Sequence, residues 1–535
     1  MERGVLGYVV RSSSPRVSVA VSDAPLPLGE YVELHYRISS RFAGHGAPVE
    51  RIALAVASGA TYEHAVPASV MSYLGLRGGG IESLKLSYTT LYVVAELSDS
   101  GVEPPRYPVP PDTPVFPASR EVLGRVYGGY GAGVRLGTLV PRSLGVEVRV
   151  NPDKLAKHLL VAGATGSGKS NTVAVLADRL TSMGAPVVVF DVHGEYELLP
   201  ESGDRSKVLR VGAEINPLKM MRMSPRLLAS IVIPEPMARR QRRLLVRALK
   251  GALKELENEA NRVGGSQVTA LQSLIKKKRL LEEEDEECKS DTEACLARGL
   301  RELIIAEAVK ARSYGGGDVA RVVDAVIEKV EEFFEVTPVT IAGELPTVHI
   351  APGRLLVVDA SALSDEQKRW VLKVMVDELL VNLKSGKLKS AVLVVEEAPL
   401  FIGVDVIHPV KQSLQRLARE GRKFGGCLIA VSQRPRSLDV NVVSQLQNFV
   451  FLRMVQEEDI RAVMNIADNL EESLANTIPS LPDGRAIVMG EWLGRFPAIV
   501  DIDLHRGKRV GATPPLTKIW AESVQQGEET FSLEL

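Results

Sequence analysis

The sequence predicts an α/β protein, with a phosphate-loop core on a doubly wound parallel sheet, a small β domain in front of it and a helical bundle inserted into it. Three observations carry this. Gly163-Ala164-Thr165-Gly166-Ser167-Gly168-Lys169-Ser170 fits the phosphate-cradling pattern G-x-x-x-x-G-K-[ST] in full. From about residue 149, continuous apolar runs alternate with helical segments, as a parallel sheet covered on both faces requires. Before that point, short β-rich runs alternate with Gly, Pro and Ser.

In chain order, residues 1–148 read as a small barrel or sandwich. Gly7–Val10, Val17–Val21, Tyr31–Leu34 and Thr89–Ala95 are its clearest strands, and a Pro-rich stretch spans Pro104 to Pro117. The core opens at 149–219 and resumes at 341–505. Its expected strands are His158–Ala162, Pro186–Asp191, Arg354–Asp359, Ala391–Glu396, Cys427–Gln433, Phe449–Arg453, Ala486–Gly490 and Ala498–Ile502. Residues 220–340 carry helical patterns at Arg239–Glu259, Gln267–Glu286, Asp291–Arg312 and Val319–Phe334, which suggest an inserted four-helix bundle. Residues 506–535 form a polar C-terminal tail.

At 535 residues the chain is too long for one compact core. No apolar run approaches the ~18 residues of a membrane-spanning helix, and Met1-Glu2-Arg3-Gly4 shows no charged-then-apolar leader. The expectation is a cytoplasmic protein with no membrane partner. The formal charge is −1, from 65 basic and 66 acidic residues. A DNA-coating protein shows a basic excess, so any nucleic-acid contact here has to be local.

Cys288, Cys295 and Cys427 are the only cysteines, without metal-ligand spacing, which disfavours zinc and a disulfide framework. On one continuous helix Cys288 and Cys295 would sit ~10 Å apart along the axis, too far to bridge. Ser290 and Glu293 read as a capping box that starts a new helix, which leaves a Cys288–Cys295 bond open.

The chemistry concentrates at the ends of the core strands. Around Gly163 to Ser170 the glycines let successive N–H groups curl inward on a phosphate, helped by the positive end of the helix that follows. Lys169 would reach the β/γ oxygens and Ser170 would offer its hydroxyl to Mg²⁺. Val392 to Val395 run into Glu396 and Glu397. Glu396 would hold Mg²⁺ through water, and Glu397 would orient and deprotonate an attacking water. Asp191 ends another strand, where it either helps position water or the Mg²⁺ shell or caps the next segment. Gln433 ends a third, placed to sense a γ-phosphate. Arg422 lies just past a helix that Gly421 would terminate. It is the first choice for an arginine donated across a subunit boundary, with Arg436 second.

Strung together, Gly163 to Asn171, Phe190-Asp191-Val192-His193-Gly194-Glu195-Tyr196, Val395-Glu396-Glu397-Ala398, Arg419 to Gly425 and Val431-Ser432-Gln433-Arg434-Pro435 resemble the HerA/FtsK group of DNA-translocating ATPases. Within that group they look like the archaeal HerA family. The resemblance spans about residues 5 to 503. It implies a RecA-like core, an N-terminal HAS-barrel, ATP and Mg²⁺ as cofactors, and a hexameric ring around double-stranded DNA. It also implies a role in DNA end resection with a NurA nuclease. By it, Lys169 and Ser170 take the Walker A role, Glu396 and Glu397 the Walker B role, and Asp191 the strand-end acid. Arg422 takes the trans arginine, Gln433 the sensor, and Lys157 a nucleotide contact. Glu396 stands where Asp is more usual, and Pro399 follows Ala398 where many relatives carry His.

Two other classes compete with a DNA translocase. One is a P-loop ATPase that remodels or transports protein, such as a secretion or AAA+-like enzyme. The other is a slow nucleotide switch, which fares worst. The chain shows no Asn-Lys-x-Asp guanine-reading element, and a carboxylate such as Glu397 suits turnover.

Overall fold

A computed structural model describes residues 4–507 apart from 39–48, 65–84, 99–100, 129–132, 142–143, 197–207, 213–214, 236, 282–290, 311–316, 338, 344 and 495. The expected tail lies almost wholly outside the described residues. By internal contacts the chain divides into two units. One comprises Met1–Leu209, Ile350–Val357 and Leu380–Leu535, the other Arg210–His349 and Val358–Leu379.

The first unit opens with β1 (Gly7–Ser14), β2 (Val17–Ser22), β3 (Tyr31–Ile38), β4 (Val49–His64), β5 (Lys85–Ser98), β6 (Gly101–Glu103) and β7 (Pro114–Pro117). The order β2-β1-β7-β3-β4-β5 closes through a β2–β5 pairing, which makes a six-stranded barrel with β6 added outside on β5. Register shifts at Val9/Arg11 and Leu54/Ala55 are the bulges that bend long strands into so small a barrel. Val9, Val32, Leu34, Ala55, Leu91 and Val93 fill it. Helix α1 (Arg120–Tyr127) follows, capped by Ser119, whose N–H and hydroxyl both bond the buried Glu33.

β8 (Val134–Leu139) and β9 (Glu147–Val150) do not belong to the barrel. β8 pairs with β18 (Ala498–Ile502) and β9 with β8. The expected domain boundary at 148/149 therefore falls inside β9. The sequence texture misleads here because antiparallel core-edge strands alternate like barrel strands.

The core strands are β10 (Leu159–Ala162), β11 (Val187–Asp191), β12 (Val208–Gly212), β13 (Leu355–Asp359), β14 (Ala391–Val395), β15 (Gly426–Ser432), β16 (Asn448–Leu452), β17 (Arg485–Gly490) and β18. From β13 the sheet runs β13-β11-β14-β15-β10-β16-β17-β18-β8-β9. The stretch from β11 to β16 is parallel, and β11, β14, β15 and β16 are buried at every position. That is why they read as unbroken apolar runs.

The second unit holds α3 (Pro217–Met223), α4 (Pro225–Val232), α5 (Arg239–Val263), α6 (Gln267–Lys278), α7 (Thr292–Val309) and α8 (Gly317–Val336). Helix α2, in the first unit, is Lys169–Ser182. The four expected bundle helices are present as α5 to α8. α6 stops eight residues short of the expected Glu286, because Arg279 turns left-handed (φ 49°) and its N–H returns to Ile275 O. Lys276, Lys277 and Lys278 in the last turn favour that end. α7 is capped by Asp291, which accepts from Glu293 and Ala294 N–H. The expected capping residue Ser290 lies outside the described residues. Cys295 is disulfide-bonded, the outcome that the sequence reading disfavoured but left open; Cys427 is free and buried, and Cys288 lies outside the described residues.

Candidate functional site

The parallel register brings the site together. Phe190 pairs with Val395, Val395 with Ala430, and Ala162 with Ser432. Asp191, Glu396, Glu397, Gln433 and the Gly163 to Ser170 loop therefore leave one edge of the sheet, at the carboxyl ends where ligands bind in such folds. Lys157 lies before β10, at the opposite edge, paired with Glu491. Within the chain it joins none of these groups.

The loop's backbone needs its glycines at two points. Gly166 (φ 77°) and Gly168 (φ 108°) are left-handed, which side chains resist. Lys169 Nζ turns back on Ala164 O at 2.9 Å, and Ser167 Oγ donates to the same carbonyl at 2.7 Å. Burial pulls the Lys169 pKa down, against the pull of Glu396, Glu397 and Glu195. The side chain of Asn171, the last residue of the quoted motif, donates to Asp503 O at 2.9 Å and accepts from His505 N at 3.0 Å.

Asp191 is fully buried. Its Oδ1 accepts from the N–H groups of His193, Gly194 and Glu195 at 2.8–3.2 Å, and Oδ2 accepts from Tyr196 N at 3.0 Å. Asp191 thus builds the 192–196 loop, the capping alternative of its sequence reading, while Oδ2, with a single donor, keeps an acceptor position. That loop delivers Tyr196, a residue quoted in the motif but given no role from sequence. Its buried hydroxyl donates to Glu396 Oε1 and meets the Ser170 side chain.

Glu396 is 7% exposed. Burial pushes its pKa up to about 7, Asp191 and Glu195 add to the rise, and the Tyr196 hydrogen bond and Lys169 oppose it. Glu397 is one of few non-glycine residues with left-handed backbone (φ 45°). Such conformations persist where the surroundings enforce them. Here Ala398 N donates to Val431 O at 2.8 Å, and Glu397 Oε2 accepts from Gln433 Nε2 at 3.2 Å. Gln433 Oε1 in turn accepts from Thr165 Oγ1 at 2.6 Å. Pro399, in the His position of many relatives, starts the short helix Pro399–Ile402, where its missing N–H costs nothing.

The donor set fits Mg²⁺. A hydroxyl and a carboxylate meet through one phenol, and this hard cation takes one or two such protein oxygens plus substrate phosphates. Ser170 and Glu396 would hold it.

Arg422 is exposed on the 3₁₀ turn Gly421–Phe424 and makes no hydrogen bond or ion pair among the described residues. The helix Pro409–Glu420 ends at Gly421 as expected, but its cap is right-handed, and a 3₁₀ turn follows before the chain turns left-handed. The left-handed stop is Gly425 (φ 79°), where a Cβ would meet Lys389 O at 2.4 Å. Arg436 is committed within the chain, at 3.4 Å from Glu458 and 3.7 Å from Asp459.

A cleft of ≈ 620 Å³ opens beside the loop, between Gly166, Gly168, the Asp483–Gly484 turn and Asp503. A cleft of ≈ 850 Å³ on the barrel, lined by Arg37, Glu50, Arg51 and Arg125, holds none of these groups. Among the described residues no helix is long and apolar enough to cross a membrane.

The family described as "Helicase HerA, central domain" matches residues 134–379, and so begins at β8. The chain is 30% identical over 442 residues to the DNA double-strand break repair helicase HerA of Sulfurisphaera tokodaii, covering 81% of each chain. It is 28% identical over 554 residues to that of Saccharolobus solfataricus, covering 99% of each. Among solved structures, VirB4 of Thermoanaerobacter pseudethanolicus aligns with a TM-score of 0.46 at 16% identity, covering 70% of this chain and 97% of that one. The chain belongs to the HerA helicase family of P-loop NTPases.

Proposed function

We propose that this protein is an ATP-dependent translocase or helicase on double-stranded DNA, working as a homo-hexameric ring in DNA end resection and recombinational repair beside a NurA-like nuclease. The observation that carries the catalytic half is the convergence of Lys169, Ser170, Glu396, Glu397 and Gln433 at one sheet edge. The DNA half is supported by family membership and by relatives named as double-strand break repair helicases. The ring and the nuclease are supported by the motif resemblance.

In this reading the curled amides of residues 163–170 and Lys169 grip the β- and γ-phosphates of ATP. The nucleoside lies in the cleft beside Gly166 and Asp503. Bound Mg²⁺ would neutralise developing phosphate charge, with Ser170 and Glu396 as its protein ligands. Glu397 takes the proton of the attacking water, held in place by Gln433. Thr165 ties Gln433 to the loop, so the base and the phosphate cradle move as one. Asp191 acts on the loop that presents Tyr196. Arg422 reaches the neighbouring subunit's γ-phosphate.

The test is ATP hydrolysis with and without duplex DNA across a salt series. Translocation predicts stimulation by DNA that falls as salt rises, because phosphate contacts release counterions. Turnover indifferent to duplex DNA at every salt overturns the DNA reading and favours protein remodelling.

A further inference from the structure

One flank of α5 carries Arg240, Arg243, Arg247, Lys250 and Lys254. The spacing of three, four, three and four residues keeps all five on one side of the helix, in a row about 21 Å long. Each of the five is exposed, and none makes a hydrogen bond or ion pair among the described residues. The opposite face of α5 is buried through Leu245, Ala248, Leu249, Ala252 and Leu256, so the row cannot turn inward.

The other basic run of the bundle behaves differently. Lys277 sits 3.4 Å from Glu259, and Lys278 pairs with Glu255. Glu255 also takes Lys310 at 3.0 Å. Glu255 and Glu259 are therefore spent on α6 and on Lys310, and the one further acid of α5, the exposed Glu257, adjoins only the Lys254 end of the row. A chain with 65 basic and 66 acidic residues does not leave five cations together through basic excess. Like charges one turn apart on a helix repel by a few tenths of a kcal/mol per pair, which a polyanion relieves.

No large apolar side chain is exposed on α5 between Arg240 and Lys254, so the row lacks the anchors that dominate protein–protein contacts. Duplex DNA offers one negative charge per ~1.7 Å of axis, far denser than the row itself. We propose that this row on α5 is a contact surface for the phosphate backbone of duplex DNA, binding by charge without reading bases. The proposal rests on the duplex-DNA reading above.

The experiment compares full-length wild type with Arg243→Gln/Arg247→Gln/Lys250→Gln. Binding of a fluorescent duplex is followed by anisotropy across a salt series, with a non-hydrolysable ATP analogue present. Analogue affinity and particle mass by light scattering are measured alongside. If the three side chains each meet a phosphate, the slope of log affinity against log salt becomes shallower by about 2.7. The variant then loses roughly 40-fold less affinity than wild type between about 50 and 200 mM salt. Analogue affinity and mass stay unchanged. Lys277→Gln/Lys278→Gln, in the partnered run, keeps the wild-type slope.

Wild-type slope in the triple variant overturns the proposal while leaving the DNA reading intact. An equal loss of slope in the Lys277/Lys278 control also overturns it, as an effect of bulk charge. A triple variant of altered particle mass makes the row a subunit contact and overturns it too. Wild type that binds no duplex at any salt removes the functional reading itself.

Discussion

Gln433 joins Glu397 to the phosphate loop: its amide donates to Glu397 Oε2 at 3.2 Å and accepts from Thr165 Oγ1 at 2.6 Å. The link ties the base to the group it acts beside. Glu397→Gln is expected to bind ATP with near wild-type affinity while hydrolysis falls by about 10²–10⁴-fold, the usual share of a positioned base. Phosphate release and fluorescent-nucleotide titration check this. Unchanged turnover assigns the base elsewhere.

Gln433→Ala keeps the base but frees it. Its kcat is expected to fall by about tenfold or more with little change in ATP affinity, since a misplaced catalytic group costs rate before binding. A rise in KM at constant kcat would instead make Gln433 a ground-state contact.

Glu396 gives a pH signature. Burial raises its folded pKa to about 7 from an ordinary 4.5. A carboxyl shifted upward contributes stability that is complete below pH 4.5 and is lost as pH rises through 7, because the folded state must then ionise it. The loss amounts to about 3 kcal/mol. In metal-free, nucleotide-free buffer, Glu396→Gln is therefore expected to gain on wild type in denaturant unfolding between about pH 4.5 and pH 8. Parallel pH profiles for the two proteins contradict this.

Tyr196→Phe deletes the hydroxyl between Glu396 and Ser170. It leaves a buried carboxyl without its donor, which costs about 1–3 kcal/mol. The denaturation midpoint at neutral pH is expected to fall accordingly. A midpoint equal to wild type removes Tyr196 from the support of the site.

Arg422 stands exposed while Arg436 is paired. Mixing Arg422→Ala subunits with Lys169→Ala subunits is expected to restore part of the ATPase activity absent from either alone. Mixed boundaries of one polarity join an intact phosphate loop to an intact arginine. No recovery in rings shown to be mixed argues against a trans role.

Much of this was legible in the residues. The phosphate-loop motif and the apolar-then-acid runs placed most core strands to within one residue, because strands buried on both faces carry no competing alternation. What stayed hidden depended on three-dimensional closure. Nothing local to Tyr196 says that Asp191 folds the intervening loop so that a phenol reaches Glu396. Lys157 is near the loop in sequence, yet β10 carries the chain across the whole sheet between them. Gly421 ends its helix as its residue type suggests, yet only the fold shows that the left-handed residue comes later, at Gly425 after a 3₁₀ turn. The two edge strands β8 and β9 look like barrel strands until their partner β18 is seen.

The most direct test is a structure of the assembled protein with duplex DNA, Mg²⁺ and a non-hydrolysable ATP analogue. The account predicts the triphosphate seated on the amides of residues 163–170, with Lys169 released from Ala164 onto it and Glu397 facing a water in line with the γ-phosphate. An empty loop, or Glu397 directed away from the bound nucleotide, contradicts it.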